Sequence, residues 1–160
     1  MERNAGDRFE DCLKEANDVL RKKEEELGVK FIPNISVIAA AIWGEALYLS
    51  QHGEAEAYLG RRRYVSTISE GLSDPKKKDE LFSNIANGEL SVGDYLLMCS
   101  SRLVRYITKS DLGKLISEET ELKIALGAVN DAVSIDLMDR MNILGVRVGE
   151  KVEEAMIEGE

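Results

Sequence analysis

The chain is 160 residues long, enough for one domain whose core buries roughly two-thirds of the surface an unfolded chain exposes. Its hydrophobic fraction is an ordinary 44% and its formal net charge is -9. That balance argues against unspecific nucleic-acid binding, which needs clustered Lys and Arg to displace counterions, and against anionic membrane surfaces. Two cysteines, Cys12 and Cys99, make no disulfide framework and read as reduced, buried thiols of a cytoplasmic protein.

Residues 1–7 hold too little apolar content to order themselves and are expected to fray. No signal peptide is visible, because Met1-Glu2-Arg3-Asn4 leads straight into charge. Residues 8–27 read as an amphipathic helix. Phe9, Cys12, Leu13, Ala16, Val19, Leu20 and Leu27 recur at three- and four-residue steps, Asp7 stands as a candidate N-cap, and Gly28 stands at the C-terminal stop. Residues 29–34 read as a connector, in which Pro33 fits a strand start better than a strand middle. Residues 35–42 are apolar almost throughout, which predicts a strand buried on both faces. With Trp43 this is the longest apolar run, and it is far too short to span a bilayer.

The turn Trp43-Gly44-Glu45 predicts a return strand over 46–52. Gly53-Glu54 makes the next turn, and 55–60 continues the meander into the turn Arg61-Arg62-Arg63 and a strand over 64–69. Residues 70–80 read as a mobile loop. A short strand falls within 81–90. Gly93-Asp94 then closes a hairpin into a buried strand over 95–100. A helical turn over 103–107 precedes a helix over 108–116, with Thr108 and Asp111 at capping-box spacing. Ser117 is placed to cap a further helix with Leu122, Ala125, Leu126, Val129 and Val133 on its apolar face. Residues 142–148 alternate as a last strand, and 149–160 form an acidic tail. Strands and helices segregate, which predicts a single α+β domain over 8–148: antiparallel sheet layers flanked by helices.

Catalytic motifs that stand alone are missing. There is no Gly-rich phosphate loop and no Gly-x-Ser-x-Gly elbow, and the single histidine, His52, excludes a two-histidine metal site. Carboxylates at fixed positions are what Mg²⁺ and Mn²⁺ require, and Glu54, Asp94 and Asp139 fall in predicted turns or strand ends. With 30 acidic residues in the chain, some fall in turns by chance, so solvated turn carboxylates are the plain alternative.

The motif order resembles a known family. Gly53-Glu54-Ala55-Glu56-Ala57-Tyr58-Leu59 is similar to the Gly-Asp-Ser-Arg-x-Tyr-Leu segment of the type 2C, or PPM-type, metal-dependent protein phosphatases. The run Gly93-Asp94-Tyr95-Leu96-Leu97-Met98-Cys99-Ser100-Ser101-Arg102-Leu103 resembles their Gly-Asp-x-Leu-Leu-Leu-x-Thr-Asp-Gly-Leu. Met141-Asn142-Ile143-Leu144-Gly145-Val146-Arg147-Val148 resembles Asp-Asn-Ile-Thr-Val-x-x-Val. Closer still is a divergent bacterial branch that shares the patterns of Ser50-Gln51-His52-Gly53-Glu54-Ala55-Glu56-Ala57-Tyr58-Leu59 and of Phe82-Ser83-Asn84-Ile85-Ala86-Asn87-Gly88-Glu89-Leu90.

In active members, as the resemblance has it, aspartates hold two Mg²⁺ or Mn²⁺ ions that activate a water against phosphoserine or phosphothreonine. Matched position by position, the Asp-Gly of Thr-Asp-Gly-Leu is Ser101-Arg102, the Asp before Asn-Ile is Met141, and the Asp and Arg of Gly-Asp-Ser-Arg are Glu54 and Glu56. The family's amino-terminal motifs have no counterpart before Phe9. Serine and methionine bring no charge to offset dehydration of a hard cation, and Arg102 repels one. The resemblance therefore implies a truncated PPM-like domain that binds no metal, serving as a regulatory or protein-binding module. Its partner is expected to be another protein or a second copy, joined through an exposed sheet edge. The competing expectation is a live Mg²⁺- or Mn²⁺-dependent serine/threonine phosphatase with ligands relocated to Glu54, Asp94 and Asp139. A nucleotide-sensor reading lacks a phosphate-cradling loop.

Overall fold

The computed structural model describes residues 4–77, 79–134 and 141–150. Asp139 and residues 151–160 of the expected tail lie outside the described residues. The described residues form four layers: a long N-terminal helix, a three-stranded sheet, a four-stranded sheet, and a pair of later helices.

Helix α1, Ala5–Leu27, begins earlier than the periodicity predicts, because Asn4 and not Asp7 is its N-cap: the Asn4 side chain accepts from the Asp7 N–H at 2.8 Å. Residues 4–7, which belong to the stretch expected to fray, form the cap and first turn of this helix. Gly28 closes the helix in the left-handed region, as its position predicts. The predicted apolar face is only partly covered. Leu13 is buried, but Cys12, Val19 and Leu27 are exposed. Two buried polar residues hold the helix instead. Asn17 accepts from the N–H groups of Leu81 and Phe82 and donates to the Phe82 carbonyl. Glu24 accepts from the N–H groups of Phe31 and Ile32 at 2.7 and 2.8 Å and pairs with Lys30. Both satisfy backbone groups of irregular segments that have no ladder partner.

Pro33 sits in a single 3-10 turn, Ile32–Asn34. Strands β1, Val37–Trp43, and β2, Ala46–His52, follow as the predicted hairpin, closed by Gly44 at φ 60° and Glu45. Gly53 breaks the expected meander. Instead of returning beside β2, the chain crosses into the second sheet with β3, Glu56–Arg61, and its hairpin partner β4, Tyr64–Thr67. Strand β5, Ala86–Glu89, returns to the free side of β2. Strand β6, Tyr95–Cys99, pairs with β3, and β7, Ile143–Arg147, pairs with β6. The orders are β1-β2-β5 and β4-β3-β6-β7, all antiparallel. Strand β1 is consequently an edge. Its uniform apolarity suggested burial on both faces, yet Ile42 and Trp43 are 45% and 69% exposed.

The sheets meet through Leu47, Leu49, Ala57 and Leu96, with Ile38, Ile68 and Met98 packed around them. The other face of the larger sheet packs Tyr58, Leu97 and Cys99 against α2, Lys109–Glu118, and α3, Leu122–Ser134. Thr108 caps α2 through the Asp111 N–H, as its spacing predicts. Ser117 caps nothing, because α2 runs through it to Glu118. Arg147 donates to the Ile116, Glu119 and Thr120 carbonyls, satisfying the C-terminal end of α2 with a cation.

The Tyr95 ring lies against Gly60, its cross-strand partner, and burial pushes its hydroxyl up to about 12. That hydroxyl is buried with no hydrogen-bond partner among the described residues. An unsatisfied buried donor costs about 1–3 kcal/mol, so Tyr95→Phe is expected to raise stability by about 1 kcal/mol in urea denaturation. A loss of similar size would mean that the hydroxyl has a partner.

Candidate functional site

Three segments converge at one end of the larger sheet: the turn Gly53-Glu54 leading into β3, the segment after β6, and the residues before β7. The ladder fixes their proximity, because Glu56 pairs with Cys99 and Cys99 with Ile143. Ser100 ties two of them together, its hydroxyl accepting from the Asn142 N–H at 2.9 Å and its own N–H donating to the Asn142 carbonyl. Gly53, at φ 71°, holds the turn against the chain before β1. A Cβ there would run into the Ile35 carbonyl and Ser36, and the Ser36 hydroxyl accepts from the Glu54 N–H.

The positions matched to metal-binding aspartates are therefore brought together, but what stands there is a charge-paired cluster. The Glu54 carboxylate lies 2.9 Å from the Arg105 guanidinium and 3.4 Å from that of Arg102. Arg102 also reaches Glu56 at 3.6 Å, and the Tyr58 hydroxyl donates to the other Glu56 oxygen. Burial first, and the Glu56 carboxylate second, push the Tyr58 phenol well above its usual range, so it stays a donor. Two carboxylates face two guanidiniums. Glu54, Arg102 and Arg105 are half exposed, so their pairs are worth only about 0–1 kcal/mol each, and the consequence is electrostatic cancellation more than stability. Met141 packs onto the core under α2 and α3.

The described residues contain no group of three His, Cys, Asp or Glu placed to hold a metal ion. Glu54 and Asp94 do not converge. They flank opposite ends of the β3–β6 pair, about 17 Å or more apart by strand rise. Asp94 is buried and engaged: Arg61 donates to both its oxygens at 2.9 and 2.7 Å, and the Ser91 N–H donates at 2.7 Å. Relocating the ligand set to Glu54, Asp94 and Asp139 fails geometrically for its first two members. Among the described residues, Glu54 and Asp94 form no shared site for a divalent cation.

His52 is buried, and its Nε2 donates to the Ile32 carbonyl at 3.1 Å. It is a structural bond of β2, away from the cluster. Burial, with Glu56 adding to it, pushes the Cys99 thiol up to about 12, which removes it as a nucleophile. A cleft of about 420 Å³ opens beside the cluster, with Glu56, Ser69, Arg102 and Lys109 among its walls. Arg105 and Tyr58 were not singled out from sequence. The three-residue step from Arg102 to Arg105 in one short turn was the available signal.

No known family's sequence model matches the chain, and no curated protein matches it in sequence. The fold does match solved structures. It superposes on the catalytic domain of the serine/threonine protein phosphatase PstP in complex with two manganese ions at TM-score 0.71 and 15% identity, over 94% of this chain and 74% of that one. PppA, a key regulatory component of T6SS in Pseudomonas aeruginosa, matches at TM-score 0.64 and 20% identity, over 84% of this chain. The phosphatase domain of the cell-fate determinant SpoIIE from Bacillus subtilis matches at TM-score 0.56 and 14% identity, over 96% of this chain. The chain spans 66% of the PppA structure's length. The fold is that of the PPM-type phosphatases.

Proposed function

We propose that this chain is a catalytically inactive PPM-phosphatase-like domain that works as a protein-binding or regulatory module. The observation that carries the reading is the Glu54–Arg102–Arg105 cluster, which puts two guanidiniums beside Glu54, the position that the sequence resemblance matches to a metal-binding aspartate. Two-metal phosphoryl transfer needs both ions in place, and carboxylates already neutralised by Arg102 and Arg105 leave no net negative charge to offset the dehydration of the first of them. The regulatory role named for PppA is consistent with such a use of the fold. The binding partner is a protein, or a second copy, meeting an uncovered sheet edge.

A melting experiment with and without Mn²⁺, together with p-nitrophenyl phosphate turnover, tests the inactive reading. A specific ion at hundredfold excess over its dissociation constant stabilises a fold by about 2.7 kcal/mol, which for a domain of this size is a rise of roughly 5–10 °C. The expected result is no rise and no turnover. A rise accompanied by turnover would establish the metal-dependent phosphatase instead.

A further inference from the structure

Among the described residues there are four edge strands, and three of them are blunted. Strand β5 has four residues and ends in Glu89. Strand β4 has four and abuts the Arg61-Arg62-Arg63 turn. Strand β7 carries Arg147 and a glycine. Charge and shortness are the usual protections of an edge. Strand β1 has neither: Val37-Ile38-Ala39-Ala40-Ala41-Ile42-Trp43 is seven residues without a charge or a proline, paired on one side only. Its outer row of N–H and C=O groups has no strand neighbour among the described residues. Beside it runs a groove of about 750 Å³ between α1 and β1, with Phe9, Cys12, Ala41 and Trp43 among its walls. Val19, further along the same helix, is 58% exposed.

The sequence of β1 says what fits there. It is near-palindromic about Ala40. We propose that β1 pairs antiparallel with β1 of a second copy, with the two-fold axis at Ala40, joining the two three-stranded sheets into one sheet of six. That register sets Ala39 opposite Ala41, Ile38 opposite Ile42 and Val37 opposite Trp43 of the other copy. Large apolar side chains meet large ones and small meet small, which is the self-complementarity a two-fold contact demands. Ile38 already packs between the sheets, so Ile42 of the second copy extends that layer, while Trp43 sits on the α1 side by the groove. No like charges meet along the strand. Each copy carries a net charge of -9, so the approach is opposed at long range and added salt tightens it.

The proposal names the partner of the binding module, and it fails separately from the inactive-site reading: a monomer that ignores Mn²⁺ would overturn only the pairing, and a dimer that binds Mn²⁺ only the inactivity. Trp43 is the one tryptophan, so its emission reports the contact directly. Sedimentation of the wild-type chain is expected to give a concentration-dependent dimer, strengthened by salt, with a blue shift of Trp43 emission as it forms. Ala40→Lys, at an exposed position, sets two ammonium groups across the axis and is expected to weaken association by more than about tenfold while the monomer's melting is unchanged. If that variant misfolds, Ala40→Cys in a Cys12→Ser background decides: oxidation should link the copies through residue 40, whereas Ile42→Cys in the same background should link poorly. A wild-type chain that stays monomeric at all concentrations and salts, or a dimer indifferent to these substitutions, overturns the proposal and leaves the edge to a different chain.

Discussion

Gly60→Val is expected to cost about 3 kcal/mol or more and to lower the melting temperature by roughly 6–12 °C. Even a methyl group at this position would overlap three atoms of the Tyr95 ring. Overpacking usually costs about 1–3 kcal/mol because neighbours shift to make room. Little room exists here. Strand β3 is flanked by β4 and β6, and β6 by β3 and β7, so neither backbone can move outward without breaking a ladder. The ring itself is fully buried between them. Urea denaturation of Gly60→Ala, Tyr95→Leu and the double variant would form a cycle, in which a coupling of about 0.5–3 kcal/mol is expected because the smaller side chain relieves the clash. A Gly60→Val protein as stable as wild type would mean that β3 and β6 are not packed as described.

Asp94→Ala is expected to destabilise the fold by about 2–3 kcal/mol at neutral pH. The carboxylate joins the end of β3, through Arg61, to the turn before β6, through the Ser91 N–H. Its loss leaves that N–H without its acceptor. The cost stays below the upper range for broken buried pairs because the Arg61 side chain is 54% exposed and can find water. The hydrogen bond from Arg61 holds the Asp94 carboxyl below the usual carboxylate range. The Ser91 N–H and the Arg61 charge act the same way, against burial. The folded state therefore binds this proton more weakly than the unfolded chain does. The stabilisation is fully present above about pH 4, the unfolded value, and disappears as pH falls through the lower folded value. Urea midpoints of wild type and Asp94→Asn measured from pH 7 downward should converge below pH 4. A constant gap across that range would show that the charge pair is not what holds the turn.

Much of the fold was legible because local chemistry and global structure agree. Gly44 between two apolar runs gives the β1–β2 hairpin, Thr108 and Asp111 give the start of α2, and alternation from Ile143 to Val148 gives β7. The crossing at Gly53 was not legible. A period of two says that a strand follows, and not which sheet receives it. Nor was the exposure of β1, since a run apolar on every residue is equally consistent with a buried strand and an edge awaiting cover. Asn17 sits amid an apparently apolar helix face, and its partners Leu81 and Phe82 lie 64 and 65 residues away. At the candidate site the motif order located the right corner of the molecule. What it could not supply was pairing: Arg102 was readable as hostile to a cation, but its neutralisation of Glu54 and Glu56, with Arg105 alongside, exists only in three dimensions. Asp94 was readable as a turn carboxylate, and only the fold reveals Arg61 facing it.

The way α1 is fastened bears on the order of assembly. Its main anchors, Asn17 and Glu24, clasp backbone groups of segments at 81–82 and 31–32 that have no fixed position until the strands around them are laid down. The larger sheet and its helix pair, by contrast, close around a core that includes no residue of α1. The helix is therefore expected to dock last and to lift away first, a latch on a body already shut. Native-state hydrogen exchange tests this: amides of α1 should exchange through an opening smaller than global unfolding, and protection equal to that of β3 and β6 would rule it out.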